Sequence, residues 1–289
     1  MKKICCVLAL CLLLTACGKK EAPASSAPAV SSAPPVVEQE PLVLESLTVE
    51  FLRGSADAAV LMQAVKELPG QLQAALEEAG VTVEEVSVTM SGSCATTAQA
   101  VAEGGADLAF LPVEELVRAE AYPHVLLVAG EERAYLYAAN TDYGKNLAKR
   151  DAPTWTELDH GRWGVAGGEA AELWLSDNYE GNGLGDLAAV TEYESDEALY
   201  AAAKAGEVDL FMAAEELADY GLLAETEPFY AYAAVVREDL ADGRFSEALL
   251  SALDTLQRGD FAALFGPGPY QAGAEEDLDP QRRLASLIG

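Results

Sequence analysis

The sequence predicts an α/β fold built from two similar lobes, and three observations lead to this prediction. Segments with strand periodicity alternate with segments of helical periodicity, which is the pattern of parallel sheets covered by helices. The alternation then occurs a second time, and residues 102–110 have a counterpart in residues 204–211. Two further apolar runs, 135–139 and 230–236, flank the second copy and are predicted to cross between the lobes as the hinge.

The first copy has the order strand, helix, strand, helix, strand, predicted over residues 47–51, 61–76, 83–90, 94–103 and 108–111. Pro69 is predicted to divide the first helix, because proline removes a backbone donor from a helix interior. Gly80 and the pair Gly104-Gly105 are predicted to end the two helices. Right-handed crossovers then give a parallel sheet, with ligands expected beyond the carboxyl ends of its strands.

The second copy repeats this order, with elements predicted over residues 163–166, 169–177, 188–193, 195–205 and 208–212. Near the C-terminus, Leu249, Leu250, Leu253 and Leu256 fall on one helical face, and this helix is predicted to return to the first lobe. The predicted boundaries are 46–138 plus 231–289 for the first lobe and 139–230 for the second.

The N-terminus has the pattern of a secretory signal that ends in an acylated cysteine. Lys2 and Lys3 precede a short apolar stretch that ends at Leu14-Thr15-Ala16-Cys17. Residues 1–17 therefore resemble a bacterial lipoprotein signal, with Cys17 as the lipidated first residue of the mature chain. An ordinary signal with an incidental cysteine is the alternative. Residues 18–45, rich in Pro, Ser and Ala, are predicted to be a flexible tether.

Composition excludes several classes of function. The chain has 48 acidic and 18 basic residues, a formal net charge of −30, which repels nucleic acids and anionic lipid headgroups. Outside the signal region Cys94 is the single cysteine, so no disulfide within the domain is expected. His124 and His160 are far apart and form no metal-ligand pair, so neither a metal nor a cofactor is predicted.

Several segments resemble the phosphate, phosphite and phosphonate substrate-binding proteins of ABC transporters, which have the type 2 periplasmic-binding-protein fold. The segments that carry the resemblance are residues 47–51 with Ser55 and Asp57, and 88–96, 100–112, 154–158 and 206–210. The resemblance implies two lobes, each a mixed and mostly parallel sheet flanked by helices, with two crossing strands as the hinge. Two departures bear on the ligand: residues 167–171 carry Glu169 where the family has hydroxyl donors, and Cys94 stands where it often has an aromatic residue.

The candidate ligand site comprises turns at the predicted strand ends. In the first lobe, Ser91, Gly92 and Ser93 precede a helix, so backbone N–H groups and the hydroxyl of Thr96 are placed to bind an oxyanion. The alternative for Ser93 is a helix cap without a ligand. The predicted ligand-binding residues are Arg53, Ser55, Ser91, Gly92, Ser93, Cys94, Ala95, Thr96, Leu111, Pro112, Gly168, Glu169, Ala170 and Met212.

Two charged residues in this set have open alternatives. Arg53 follows the first strand and either pairs with an anionic ligand or is a solvated loop residue. Glu169 opens a helix, where it either stabilises the helix end or accepts a ligand ammonium. Asp107 and Asp209 begin strands and are predicted to cap loops on the far side rather than to bind ligand.

The function that follows is capture of a small ligand, phosphonate-like or zwitterionic, by a monomeric protein that delivers it to an ABC permease. The membrane is contacted through the lipid anchor on the extracytoplasmic face. A ligand sensor or a protein of the same fold without transport activity is the second hypothesis. An enzyme is disfavoured, because the sequence has no Gly-x-Ser-x-Gly, no P-loop and no cluster of metal ligands.

Overall fold

A computed structural model describes residues 42–150 and 152–288. The predicted signal with Cys17, and the predicted tether up to residue 41, lie outside the described residues. The strands are β1 Leu42–Leu52, β2 Val81–Ser91, β3 Leu108–Pro112, β4 His124–Glu132, β5 Tyr135–Ala138, β6 Trp163–Val165, β7 Val190–Glu192, β8 Leu210–Ala213, β9 Gly221–Glu225, β10 Phe229–Val236 and β11 Tyr270–Ala272. The helices are α1 Ala58–Glu78, α2 Cys94–Ala102, α3 Val113–Leu116, α4 Asp142–Leu147, α5 Trp155–Asp159, α6 Glu169–Asn178, α7 Asp196–Ala205, α8 Gly243–Leu256 and α9 Asp279–Ile288.

The strands form two mixed sheets, each of which defines a lobe. The first sheet has the order β11-β4-β10-β3-β1-β2 and the second has the order β7-β6-β8-β5-β9. In the first sheet β1 is parallel to β2 and β3, whereas β10 is antiparallel to β3 and β4. The second sheet repeats this arrangement, with β6 parallel to β7 and β8 and β5 antiparallel to β8 and β9. The predicted α/β class with two similar lobes is confirmed.

Alternation along β1 explains the core of the first lobe. Leu47, Val49 and Phe51 are fully buried in one cluster, together with the inward faces of α1 and α8. Phe51 and Phe110 stack at 5.7 Å between ring centroids, and Phe265 packs edge-on against both. α8 contributes its leucines to the same cluster, so the C-terminal segment packs against the first sheet.

Two predicted details of the first lobe are wrong. Pro69 lies inside α1 but does not divide it, because the buried Leu68 and Leu72 hold both halves of the helix on the sheet. β1 begins at Leu42, so the last four residues of the predicted tether belong to the sheet. Leu42 and Leu44 alternate with exposed neighbours and pack against the core, which extends the pairing with β2.

The chain crosses between the sheets at two short segments. Residues 133–134 connect β4 of the first sheet to β5 of the second, and 226–228 connect β9 of the second to β10 of the first. β5 therefore belongs to the second lobe, although the predicted boundary left residues 135–138 in the first. The reason is its antiparallel pairing with β8 and β9.

A buried aspartate holds the same position in both lobes. The Asp107 backbone donates to the Thr48 carbonyl at 2.8 Å, and the Thr48 N–H donates to Asp107 Oδ2 at 2.6 Å. Asp209 makes the same reciprocal pair with the backbone of Arg162, at 2.7 and 3.1 Å. Each carboxylate also pairs with an arginine, Arg237 and Arg162 respectively. Both aspartates, predicted to cap loops, thus accept a backbone N–H beside the starts of β3 and β8, from Thr48 and Arg162.

Candidate functional site

A cavity of about 440 Å³ lies between the two lobes. Its walls come from the end of β3, the turn between β6 and α6, the start of β10 and the crossing segment before β5. The lining residues are Pro112, Glu114, Glu132, Arg133, Ala134, Ala166, Gly167, Glu169, Ala170, Ala214, Phe229, Tyr230, Ala231, Gln281 and Leu284. In sheets built from parallel strands, ligands bind beyond the carboxyl ends, and β3, β6 and β8 all end at this cavity.

The cavity is predominantly acidic. Three of its lining residues are glutamates, Glu114, Glu132 and Glu169, and one is an arginine, Arg133. Arg133 is already engaged, since its Nε donates to Glu131 at 3.0 Å and its Nη1 lies 3.7 Å from Glu225. The hydrogen bond to Glu131 raises the pKa of the guanidinium. The local field therefore favours a cationic group and opposes a ligand with two negative charges.

Glu169 has a distinctive position among these carboxylates. It opens α6 directly after the turn at Gly167, whose φ of +72° suits glycine. Within the described residues its carboxylate takes part in no hydrogen bond or ion pair, whereas the neighbouring Glu172 accepts from the backbone of Leu184 at 2.7 Å. The Glu169 carboxylate is thus exposed at the cavity and free to bind a donor.

The turn from Ser91 to Thr96 has the geometry that the sequence predicted. Ser93 caps α2, with its hydroxyl accepting from the Thr96 N–H at 3.2 Å and lying 2.9 Å from the Thr96 hydroxyl. The Ser91 hydroxyl donates weakly to the Ser93 carbonyl at 3.4 Å, and Gly92 is open to solvent. Ala95 is exposed beside them. These residues lie at the end of β2 and do not line the cavity described above.

Arg53 and Ser55 lie next to this turn. The Arg53 N–H donates to the Ser91 carbonyl at 2.9 Å, which joins the loop after β1 to the turn after β2. The Arg53 side chain borders a shallow apolar hollow with Met62 and Met90, on the side of α1. Ser55 closes its own turn, since its hydroxyl donates to the Leu52 carbonyl at 2.6 Å.

Three predicted site residues lie in the protein interior. Cys94 and Leu111 belong to the core beneath α2, and Met212 belongs to the core of the second lobe. Burial, with a contribution from Glu115, raises the pKa of the Cys94 thiol to about 12, so this cysteine remains a neutral thiol. Of the other predicted residues, Pro112, Glu169 and Ala170 line the cavity, and Gly168 precedes them under the side chain of Leu184.

Twelve of the fifteen residues that line the cavity were outside the predicted set, and four of them show why. Arg133 lies in the first crossing segment and Tyr230 at the start of β10, while Gln281 and Leu284 belong to α9. The apolar positions of α9 repeat at helical spacing, so the helix itself could have been predicted. Its position against the cavity depends on tertiary contacts that the sequence pattern does not contain.

Two features are absent from the described residues. No group of three or more His, Cys, Asp or Glu side chains there is arranged to hold a metal ion. No helix in that part of the chain has the length and apolar character needed to cross a bilayer.

Comparison of the sequence with family models and with curated proteins finds no match. Among solved structures, XAC2383 from Xanthomonas citri bound to ATP is similar at 12% identity and a TM-score of 0.43, over 85% of this chain and 100% of that one. PhnD1 from Prochlorococcus marinus in complex with methylphosphonate is similar at 14% identity and a TM-score of 0.40, over 84% and 98%. A binding protein component of an ABC phosphonate transporter from Pseudomonas aeruginosa has 13% identity and a TM-score of 0.37, over 84% and 86%.

Proposed function

We propose that this chain is a lipid-anchored, extracytoplasmic solute-binding protein that captures a small ligand between its lobes for an ABC importer. The observation that carries the proposal is the cavity of about 440 Å³ with walls from both sheets. Its size is that of small-molecule sites, which are usually a few hundred cubic ångströms. The side chains that line it include no serine, cysteine, histidine or lysine, which favours binding over nucleophilic catalysis.

The charges of the cavity support an amine-bearing ligand. Among the described residues the Glu169 carboxylate has no hydrogen-bond or ion-pair partner. Glu132 adds negative charge nearby, whereas Glu114 is paired with Arg118 at 2.7 Å. An ammonium group would satisfy Glu169 and reduce this repulsion, whereas inorganic phosphate would add to it. We therefore favour a zwitterion such as an aminophosphonate or an amino acid over a simple phosphonate dianion.

The turn from Ser91 to Thr96 lies outside the cavity, and we propose that closure of the lobes brings its donors to the opposite end of such a ligand. It combines free backbone N–H groups at the start of α2 with the hydroxyls of Ser93 and Thr96, the donors that oxyanions prefer. Closure about the crossing segments 133–134 and 226–228 is the motion by which two-lobed proteins surround a ligand. We assign the oxyanion to this turn and the ammonium to Glu169.

The remaining parts of the proposal concern the cell envelope. Cys17 carries the lipid, and the residues between it and β1 connect the lipid to the two lobes. This connection suits a monomer that delivers its ligand to a permease in the same membrane. No cofactor is required for capture and release.

A second candidate is a ligand sensor, or a binding protein without transport activity. It is favoured by Glu169 itself, since a carboxylate stands where the resembled family has hydroxyl donors. Deletion of the gene separates the two functions. If the deletion abolishes ligand uptake by the cells, the protein serves transport. If uptake is unchanged although the purified protein binds the ligand, the protein serves as a sensor.

A thermal-shift screen tests the proposal. The purified protein would be heated with phosphate, phosphite, methylphosphonate, 2-aminoethylphosphonate, taurine and amino acids. A ligand present at 100 times its Kd adds about 2.7 kcal/mol to the free energy of unfolding. We expect stabilisation by an amine-bearing compound, and uniform absence of stabilisation across the panel would contradict the proposal.

A further inference from the structure

The C-terminal helix α9 lies across the junction of the two lobes. It contacts α3 of the first lobe and α6 of the second. The turn before it, Glu275–Leu278, is anchored in the first lobe, because Leu278 is buried in the core beneath α2. The helix therefore starts from one lobe and reaches the other.

Arg283 of α9 binds one carboxylate of the second lobe, Asp177 in α6, and one in the crossing segment 226–228, Glu227. Arg283 Nη2 donates to Glu227 at 2.6 Å and to Asp177 at 3.1 Å, two residues that are distant in sequence. Asp177 lies in the last turn of α6, where the backbone carbonyls make a carboxylate unfavourable and where no basic residue of α6 compensates it. Arg283 supplies the missing cation from another element.

Its contacts with the first lobe are of a different kind. Gln281 Nε2 donates to the Tyr230 carbonyl in β10 at 3.1 Å. The Arg282 guanidinium lies 6.0 Å from the centre of the Tyr122 ring and donates to the Glu275 carbonyl at 3.0 Å. Together with Leu278, these contacts attach α9 to the first lobe at several points.

The same helix forms a wall of the ligand cavity. Gln281 and Leu284 line the cavity between the lobes, and with Ala285 they also border a smaller hollow of about 240 Å³ next to Glu169 and Val117. α9 thus fills the space between α3 and α6, the two elements that must move apart when the lobes open.

We propose that α9 is an interlobe latch that remains with the first lobe and holds the second through Arg283. Gln281 Oε1 and Arg283 Nε are both buried and have no hydrogen-bond partner within residues 42–150 and 152–288, so the docked helix leaves polar groups unsatisfied. Because these unpaired polar atoms reduce the stability of the docked helix, the contact can be broken and remade at a lower cost. When the lobes separate, the bond from Arg283 to Asp177 breaks, whereas the hydrogen bond of Gln281 and the packing of Leu278 persist.

Distance measurements between the lobes test the latch without any ligand. Spin labels on noncanonical amino acids would replace Lys66 of α1 and Lys204 of α7, both exposed, in the full chain. We expect a narrow distance distribution in this labelled parent. Arg283→Ala should at least double its width and add longer distances. A distribution unchanged by Arg283→Ala would overturn the proposal.

Two further variants complete the design. Arg258→Ala is the matched control, because Arg258, just after α8, pairs with Asp254 on the solvent-facing side and should leave the distribution unchanged. The double substitution Asp177→Asn with Glu227→Gln removes the latch from the other side and should reproduce the broadening, which covers the case in which Arg283→Ala does not fold. If only Arg283→Ala broadens the distribution, the effect lies in α9 itself and the latch is refuted.

A role of α9 in holding the ligand inside the cavity rests on the proposed function. Stopped-flow measurements with 2-aminoethylphosphonate should give faster release from Arg283→Ala than from Arg258→Ala. Equal release rates with a broadened distance distribution would refute control of the ligand by the latch. If the parent binds no ligand, the proposed function fails, whereas the ligand-free distances still decide whether the latch exists.

Discussion

Asp209→Ala should destabilise the protein far more than the removal of a carboxylate from the surface would. The carboxylate accepts from the Thr141 hydroxyl at 2.7 Å, from the Arg162 backbone at 3.1 Å and from the Arg162 guanidinium at 2.8 and 2.9 Å. The Asp209 side chain is 7% exposed and that of Arg162 is 50% exposed. Water can therefore solvate the guanidinium of the variant, but the Thr141 hydroxyl and the Arg162 N–H lose their acceptor.

The magnitude follows from these two donors. A donor that loses its partner in a protein interior costs about 1–3 kcal/mol, so we expect a loss of about 3 kcal/mol in the free energy of unfolding. For a domain of this size that corresponds to a fall of about 6–12 °C in Tm. Calorimetry would compare Asp209→Ala with Asp254→Ala, whose carboxylate pairs with Arg258 on the surface of α8 and should contribute under about 1 kcal/mol.

The contribution of the Asp209–Arg162 pair to stability should depend on pH. Burial alone would raise the pKa of Asp209, but the hydrogen bonds from Arg162 and Thr141 lower it below its usual value. A carboxyl group with a lowered pKa in the folded state stabilises the fold above its unfolded pKa of about 3.9 and loses this effect as the pH falls. The stability difference between the parent and Asp209→Asn should thus shrink below about pH 4. Equal melting of Asp209→Ala and Asp254→Ala at neutral pH would refute the reasoning.

Two further predictions concern the anchor and the oxyanion turn. Cys17→Ala in a bacterial host should release the protein from the membrane fraction or leave it unprocessed, as followed by fractionation; normal processing with membrane retention would contradict lipidation. Ser93→Glu should abolish ligand binding in calorimetry through repulsion and lost donors. Its control is Ser195→Glu, since Ser195 caps α7 through the Ala198 N–H in the same way. Both substitutions should lower the free energy of unfolding by about 1 kcal/mol. Equal ligand affinities of the two variants would place the oxyanion elsewhere.

Much of the fold was predictable because local patterns and tertiary packing agree. Strand alternation in residues 47–51 and the Gly104 turn after α2 both appear where the sequence places them. The prediction that Pro69 divides α1 was wrong because helix propensity is a local quantity. Burial of Leu68 and Leu72 against the sheet stabilises the continuous helix by more than the missing hydrogen bond of Pro69 costs. β4 and β9 were not predicted, since strands that join a sheet through neighbours distant in sequence carry little periodic signal of their own.

The site was predictable in part. The turns at the carboxyl ends of β2 and β6 follow from strand order, so Ser93 and Glu169 could be proposed as site residues from the sequence. The burial of individual side chains was not predictable: Leu111 and Pro112 both lie at the end of β3, yet alternation turns the Leu111 side chain into the core. The contribution of α9 depends on where a distant segment docks, which no local pattern encodes.

The most direct test of the account is calorimetric titration of the wild-type protein and Glu169→Gln with 2-aminoethylphosphonate and methylphosphonate. The free carboxylate of Glu169 at the cavity should prefer the amine-bearing compound, and a charged hydrogen bond contributes about 1.5–3 kcal/mol. Glu169→Gln should therefore weaken 2-aminoethylphosphonate by about tenfold or more and spare or improve methylphosphonate. Tight binding of methylphosphonate or phosphate by the wild-type protein, with no change in either affinity on Glu169→Gln, would contradict the assignment of an amine-bearing ligand to this cavity.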